Sequence, residues 1–322
     1  MRTSKTQTCK IPGLIVAGLI VCALLSGCIR SHEIGVTSLR LHLQFPSAEL
    51  TPDYQEFRGA EAYSRRCIVE LYDAGTGEKI MRKCAFTPIS SDRTAVLDLI
   101  ADEGTYDILL WSDFVSSKHP ENDTFYSTES FSAITMLNDI HPDDYRYKDA
   151  AYAKVEGINH NQCITPVDIK LTRPLASYRI LTDDAEAYIA LSERNPKKYL
   201  PLEDLRIEVS NSFFIPNSLN IRLGLYNNSD AGYHYVNSPL IEGDDVAVAS
   251  DMIFATDTTE EMLLTITAYD RNGDRISHTS GLTVGYTRDR ESIIKGNILV
   301  AGQGFGTIIF DTTWEGDFLI YF

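Results

Sequence analysis

Glycines crowded behind an apolar run, acidic clusters and grouped aromatics are the features of this 322-residue chain whose residue types and spacing could do chemistry. Leu299-Val300-Ala301-Gly302-Gln303-Gly304-Phe305-Gly306 has the outline of a strand entering a nucleotide-binding loop. A dinucleotide fingerprint begun at Gly302 needs its third glycine at position 307, which is Thr. It also needs a helix to turn its N-terminus toward phosphate, whereas Thr307-Ile308-Ile309-Phe310 is strand-like, so a hairpin is the reading. His141-Pro142-Asp143-Asp144 and Glu242-Gly243-Asp244-Asp245 offer imidazole and carboxylate groups, but neither has EF-hand spacing and both read as solvated acidic loops. No HExxH, GxSxG or P-loop pattern occurs, and the seven histidines are scattered. No catalytic residue, metal ligand or cofactor is expected. Tyr233-His234-Tyr235 and Trp314 could stack on sugar rings, although aromatic side chains of β-sandwiches more often fill cores or cover edges.

The most specific chemistry lies near the N-terminus. Arg2, Lys5 and Lys10 precede an apolar run over residues 11–25, shorter than the ~20 residues a membrane helix needs, so residues 1–27 read as a signal peptide. Leu25-Ser26-Gly27-Cys28 closes it. Small residues let a peptidase reach the bond between Gly27 and Cys28, and the Cys28 thiol can become a thioether lipid. The pattern resembles the bacterial lipobox, which makes Cys28 the expected lipid attachment and residues 28–35 a tether. The whole chain carries 29 Lys and Arg against 45 Asp and Glu, a net charge of −16; without residues 1–27 the balance is 26 against 45, or −19. Such a surface repels phosphate backbones and excludes nucleic-acid binding. Cys67, Cys84 and Cys163 remain after the signal peptide and the lipidated cysteine are set aside. An odd count cannot pair fully; Cys67 and Cys84, on neighbouring strands, either form a disulfide or stay as thiols. No cysteine and histidine spacing matches a zinc site.

The elements that carry these groups are strands. Ser38-Leu39-Arg40-Leu41-His42-Leu43-Gln44-Phe45 alternates polar and apolar at every step, the mark of a strand with one buried face. Residues 67–72 and 79–86 flank Asp73-Ala74-Gly75-Thr76-Gly77 as a hairpin, and strands follow at 94–100 and 106–111. Asp102-x-Gly104-x-Tyr106 has the spacing of a tyrosine corner. Residues 130–137 read as a short helix begun at a Ser or Thr cap. After a strand at 167–171, Thr172-Arg173-Pro174 breaks the ladder because proline lacks a donor, and the domain boundary is placed there. The second half begins again: a strand at 177–181, a short helix within 184–194 stopped by Pro196, and strands at 205–209, 262–269 and 275–278, the last two joined through Asn272-Gly273. Strands at 294–300, 307–310 and 318–322 end the chain. The fold expected is all-β, with two tandem β-sandwich domains, residues 36–173 and 174–322, and short helices.

With lipobox, tandem sandwiches and acidic surface together, the chain resembles the fimbrillin-like lipoproteins of Bacteroidales, the anchor and accessory subunits of type V pili. The similarity is carried by Gly104-Thr105-Tyr106-Asp107-Ile108-Leu109-Leu110-Trp111, by Leu171-Thr172-Arg173-Pro174-Leu175-Ala176 and by Ile294-Lys295-Gly296-Asn297-Ile298-Leu299. It implies two transthyretin-like, Greek-key sandwiches that assemble with other fimbrial subunits by strand exchange, with the first strand as placeholder or anchor. Leu39, Leu41, Leu43 and Phe45 are then the candidate exchange face, and Arg58, Arg65 and Arg66 the candidate protease sites in the stretch after it. The resemblance places the chain at the outer membrane, held by the lipid on Cys28. Cys28-Ile29-Arg30-Ser31-His32-Glu33 lacks the run of acidic residues associated with surface export, so anchoring is better supported than outward exposure. The alternative function is a glycan-binding outer-membrane lipoprotein of a saccharide-uptake system, with a glycan as partner.

Cys28→Ala is expected to leave an uncleaved precursor that takes up no radiolabelled fatty acid. A normally processed, lipid-labelled variant would remove the lipid anchor from this reading.

Overall fold

The computed structural model describes residues 37–46, 63–86, 90, 92–137 and 145–300. The expected signal peptide and tether with Gly27 and Cys28, Arg58, the acidic loop at 141–144, and the C-terminal segment with Gly302, Gly304, Gly306 and Trp314 lie outside them. The described chain is all-β with short helical segments, and no helix among these residues is long and apolar enough to cross a membrane.

The first half holds β1 (Ser38–Gln44), β2 (Tyr63–Asp73), β3 (Lys79–Ala85), β4 (Thr94–Ile100), β5 (Gly104–Ser116), β6 (Tyr126–Ser127), β7 (Ile134–Met136), β8 (Ala151–His160) and β9 (Ile164–Lys170), with a 3-10 turn at Tyr145–Lys148. The second holds β10 (Leu175–Thr182), the helix α1 (Ala185–Arg194), β11 (Arg206–Asn211), β12 (Ile215–Asn220), β13 (Leu225–Asp230), β14 (His234–Asn237), β15 (Leu240–Glu242), β16 (Asp245–Phe254), β17 (Glu260–Tyr269), β18 (Arg275–Tyr286) and β19 (Glu291–Gly296).

The two halves repeat one topology. In the first, sheet β4-β1-β9 packs on sheet β3-β2-β5-β8; in the second, β16-β10-β19, with β15 added at its edge, packs on β14-β11-β17-β18. In each half the first described strand lies between an antiparallel strand and the half's last described strand, which runs parallel to it. The repeat reaches the bulges: β8 and β18 are equivalent edge strands, and each gains one residue at a left-handed glycine, Gly157 at φ 69° and Gly281 at φ 74°. A bulged edge is a poor template for another chain.

Each sandwich has its own core. Leu39, Leu41, Leu43, Val69, Leu71, Ile108 and Leu110 lie at the centre of the first, and Tyr178, Ile180, Ile207, Val209, Leu264 and Ile266 at the centre of the second. The two halves also share a sheet and a core. Insertions in the two halves pair with each other, β7 with β12, in a sheet of order β13-β12-β7-β6. A third core, including Trp111, Phe125, Tyr126, Phe131, Leu219, Met252 and Phe254, fills the space between the sandwiches. The segment read as a helix at 130–137 contains β7 instead, because Ile134 and Thr135 find partners in Leu219 and Ser218, 85 and 83 positions further on. Helix α1 and the hairpin turning at Asn272-Gly273 stand where the sequence places them.

The tyrosine corner forms. Tyr106 Oη donates to the Asp102 carbonyl at 2.9 Å, and a Cβ on Gly104 would sit 2.9 Å from that hydroxyl and 3.0 Å from the ring. Tyr106→Phe is expected to cost about 1 kcal/mol in urea unfolding, the ordinary worth of one such bond. Gly104→Ala should cost about 1–3 kcal/mol, since the ring must leave its place. If both variants unfold like the parent, the corner does not lock the sandwich.

Candidate functional site

Strand β1 runs through the middle of its sheet, with Leu41 opposite Leu97 on antiparallel β4 and opposite Val167 on parallel β9. Period-two alternation sends Leu39, Leu41, Leu43 and Phe45 into the first core, where none is more than 3% exposed. Arg40, His42 and Gln44 face outward, and Arg40 makes a two-point exposed ion pair with Asp98 on β4, its shorter contact 2.8 Å. The candidate exchange face is thus a groove between β4 and β9, filled by one strand of this chain. At the exit of β1, Phe45 N–H donates to the Arg93 carbonyl at 3.0 Å, and Arg93 Nε returns to the Pro46 carbonyl. Arg93 is held at φ 62°, a left-handed conformation that a non-glycine residue adopts at a cost.

The same end of the groove meets a buried ion cluster. Arg65 on β2 lies over the rings of Phe45 and Phe114, its guanidinium carbon 5.4 and 4.4 Å from their centroids, and donates from Nη2 to Asp149 Oδ2 at 2.7 Å. Asp149 Oδ1 accepts from Arg173 Nε at 2.6 Å, and Arg173 also pairs with Asp289 beyond β18. Burial pushes the Asp149 carboxyl up, but Arg173 and Arg65 outweigh it and hold it below the ordinary carboxylate range. Burial alone would lower Arg173; Asp149 and Asp289 raise it. Close by, Arg66 makes a two-point pair with Asp113 at 2.9 and 2.8 Å and a third contact to Asp123 at 2.8 Å. Here burial of Asp113 wins over the guanidinium, and its carboxyl is raised.

Arg65 and Arg66 therefore stand within β2, paired with Phe114 and Asp113 on β5, rather than in the loop where the sequence suggested a protease would find them. A protease needs an extended, accessible backbone, and these two are in a ladder with buried side chains. Cys67, Cys84 and Cys163 are thiols. The register sets Cys84 opposite Ile68, one step from Cys67, so the two sulfurs point to opposite faces of the sheet and the disulfide is not made. Burial pushes the Cys67 thiol up to about 11. Tyr233 and Tyr235 are core residues, with Tyr235 Oη 3.0 Å from Tyr178 Oη, so they form no sugar platform. The acidic loop at 242–245 is a tight turn between β15 and β16, with Glu242 paired to Arg146 and Arg179 and Asp245 to Lys295. Among the described residues no group of three His, Cys, Asp or Glu is placed to hold a metal ion.

The sequence reading missed the cluster. Asp149 falls in no element that periodicity marks, and Arg173 stands out in the sequence only within the junction before the strand-breaking Pro174, where nothing nearby signals a carboxylate partner.

A tandem β-sandwich with a filled strand groove is the class of molecule these features define. The chain belongs to the family of unknown function DUF6562, whose family model matches residues 31–320. No curated protein matches it. Similar solved structures include a DUF1812 protein of Bacteroides thetaiotaomicron, named as a candidate polysaccharide binder, with 11% identity, 85% of this chain and 96% of that chain covered, and a TM-score of 0.46. The fimbrial anchor protein Mfa2 from Porphyromonas gingivalis has 14% identity, 76% and 82% coverage and a TM-score of 0.38. The tip fimbrial protein Mfa3 from the same organism, with a C-terminal truncation, has 12% identity, 82% and 96% coverage and a TM-score of 0.43. At these scores the likenesses decide nothing about function.

Asp149→Asn is expected to destabilise the chain by about 3–5 kcal/mol in denaturant unfolding, because two buried guanidinium groups lose the carboxylate they share. The lowered folded-state value of Asp149 also gives the sign of the pH dependence. Its contribution is complete above the unfolded carboxylate value of about 3.9 and fades as pH falls through the lower folded one. Acid titration of stability should therefore lose a component in the Asn variant; identical acid limbs would contradict the assignment.

Proposed function

We propose that this chain is a non-enzymatic lipoprotein of the cell envelope, held at the outer membrane by a lipid on Cys28, and that it serves as an anchor or accessory subunit of a fimbrium. It joins neighbouring subunits by β-strand addition. The observation that carries this reading is the placement of β1. The first described strand of the chain, separated from the next by residues 45–62, is hydrogen-bonded on both sides and has its apolar face sealed in the core. A strand so placed can be replaced by an equivalent one from another subunit, with the same ladder and the same four buried positions. The lipobox and the acidic mature chain support an envelope location. The proposed domain division, residues 36–173 and 174–322, puts the groove entirely in the N-terminal sandwich. The second sandwich fills the equivalent position with β10, which continues directly from the junction at Arg173, whereas β1 has no described strand before it. The reading carries Arg58 as the remaining candidate protease site, since Arg65 and Arg66 are in the ladder.

Filling the groove with Leu39, Leu41, Leu43 and Phe45 contributes about 6–12 kcal/mol at ~1.5–3 kcal/mol for each side chain, before ordering costs. Deleting residues 36–45 is expected to give an unstable, aggregating protein that a peptide of residues 36–46 restores to a stable one-to-one complex. The chain should also be found in sheared surface fibres by mass spectrometry. A deletion variant as stable as the parent and deaf to the peptide rejects strand addition; absence from the fibres rejects the fimbrial role.

A further inference from the structure

Of the four buried positions along β1 and the residue that follows it, three are filled by leucine, in a core of aliphatic neighbours such as Leu71, Leu97, Leu99, Val167 and Ile169. The fourth differs in kind. Phe45 is 3% exposed and lies against a guanidinium whose own side chain is 2% exposed, so the end of the groove is lined by a buried cation rather than by hydrocarbon. We propose that the groove reads the last inward residue of whichever strand fills it, and that this residue must be aromatic because its ring covers Arg65. The proposal rests on the strand-addition reading and deepens it: the partner is a strand with three alternating aliphatic residues and then an aromatic one, antiparallel to β4 and parallel to β9.

Without the Phe45 ring, Arg65 would keep Asp149 and the Phe114 ring, whose centroid is 4.4 Å from its guanidinium carbon, and would lose its second aromatic face. Asp149 is shared between Arg65 and Arg173, and the ring face supplies a further source of negative potential within about 6 Å, where a desolvated cation–π contact is strongest. An aliphatic side chain at this position would still exclude water, but it offers the cation neither a quadrupole nor a hydrogen-bond acceptor. The backbone aims the ring. Phe45 N–H is bonded to the Arg93 carbonyl at 3.0 Å, and Arg93 reaches back to the Pro46 carbonyl, so the residue in this position enters on a fixed line. Arg65 is also tied through Asp149 and Arg173 to Asp289 in the second half, so it cannot swing away to suit a different occupant without breaking that chain of ion pairs.

The test uses the full mature chain with a specific protease site introduced between residues 50 and 55, cleaved so that the β1 segment stays bound. Fluorescent peptides of residues 36–46 with Phe, Tyr, Leu or Ala at the Phe45 position are then offered, and incorporation is read by gel filtration. The Phe and Tyr peptides are expected to enter, with the Leu and Ala peptides reduced about tenfold or more. In an Arg65→Met chain the Phe and Leu peptides should enter within about twofold of each other. Equal entry of the Phe and Leu peptides into the parent overturns the aromatic rule and leaves strand addition standing. Failure of every peptide, the unaltered one included, overturns strand addition and with it any rule about partners. Independently, Phe45→Leu and Arg65→Met are combined in the uncleaved chain. A coupling of about tenfold in the folding equilibrium supports the ring–guanidinium readout, and simple additivity overturns it.

Discussion

One buried carboxylate gathers the charges at the joint between the two sandwiches. Asp149, fully buried, is shared by Arg65 of the first half and Arg173 at the junction, and Arg173 passes the connection to Asp289 in the second half. Removing the Asp149 carboxylate while the guanidinium groups stay buried would cost several kcal/mol, and the link to the second half runs through Arg173 and the half-exposed Asp289. The neighbouring residues reinforce the constraint. The 3-10 turn at Tyr145–Lys148 leaves the first half and lies on the second, where Tyr145 donates to Glu291 at 2.9 Å, Arg146 pairs with Glu242 at 3.1 Å and Lys148 pairs with Asp251 at 2.6 Å. Four of the five residues 145–149 thus contribute to the joint, three of them through ion pairs.

The hydrophobic complement of this latch is the third core. Strands β5 and β16 each contribute to a sandwich on one face and to the shared core on the other: Ile108 and Leu110 point one way and Leu109 and Trp111 the other, and Val248 and Ile253 are opposed by Met252 and Phe254. Tyr226 closes the seam with its single hydroxyl proton shared between the Pro174 and Ala255 carbonyls, 2.7 and 2.6 Å from its Oη. The molecule is a duplicated topology whose insertions, β6 and β7 in one copy and β12 and β13 in the other, have been used to join the copies. One consequence reaches the groove. Because Arg65 belongs both to the joint and to the lining beneath Phe45, the strand in the groove and the contact between the halves share a side chain.

Legibility followed periodicity. Strand β1 alternates strictly because one face is core and the other water, and its four inward residues were readable without a structure. The tyrosine corner was readable because its spacing is local, four residues from acceptor to hydroxyl. Strand β16 escaped because Asp245-Val246-Ala247-Val248-Ala249-Ser250-Asp251-Met252-Ile253-Phe254 is buried on both faces and shows no alternation, a pattern that periodicity cannot separate from a buried helix. Residues 130–137 were misread for the converse reason, since β7 has only three residues and owes its form to a partner strand supplied by the other half.

The sequence by itself determined the all-β class, the break at Thr172-Arg173-Pro174, the recurrence of the strand pattern after it and the inward face of β1, all of which depend on residues close together in the chain. Only the tertiary structure decided that Arg65 and Arg66 are buried in a strand, that Cys67 and Cys84 face apart, that Tyr233 and Tyr235 are core, and that Asp149 holds two guanidinium groups at once. The reason is the range of the interactions. A buried ion pair is set by groups 84 residues apart for Arg65 and Asp149 and 116 apart for Arg173 and Asp289, and the same arginines in the same order would be ordinary surface residues if the fold brought no carboxylate to meet them.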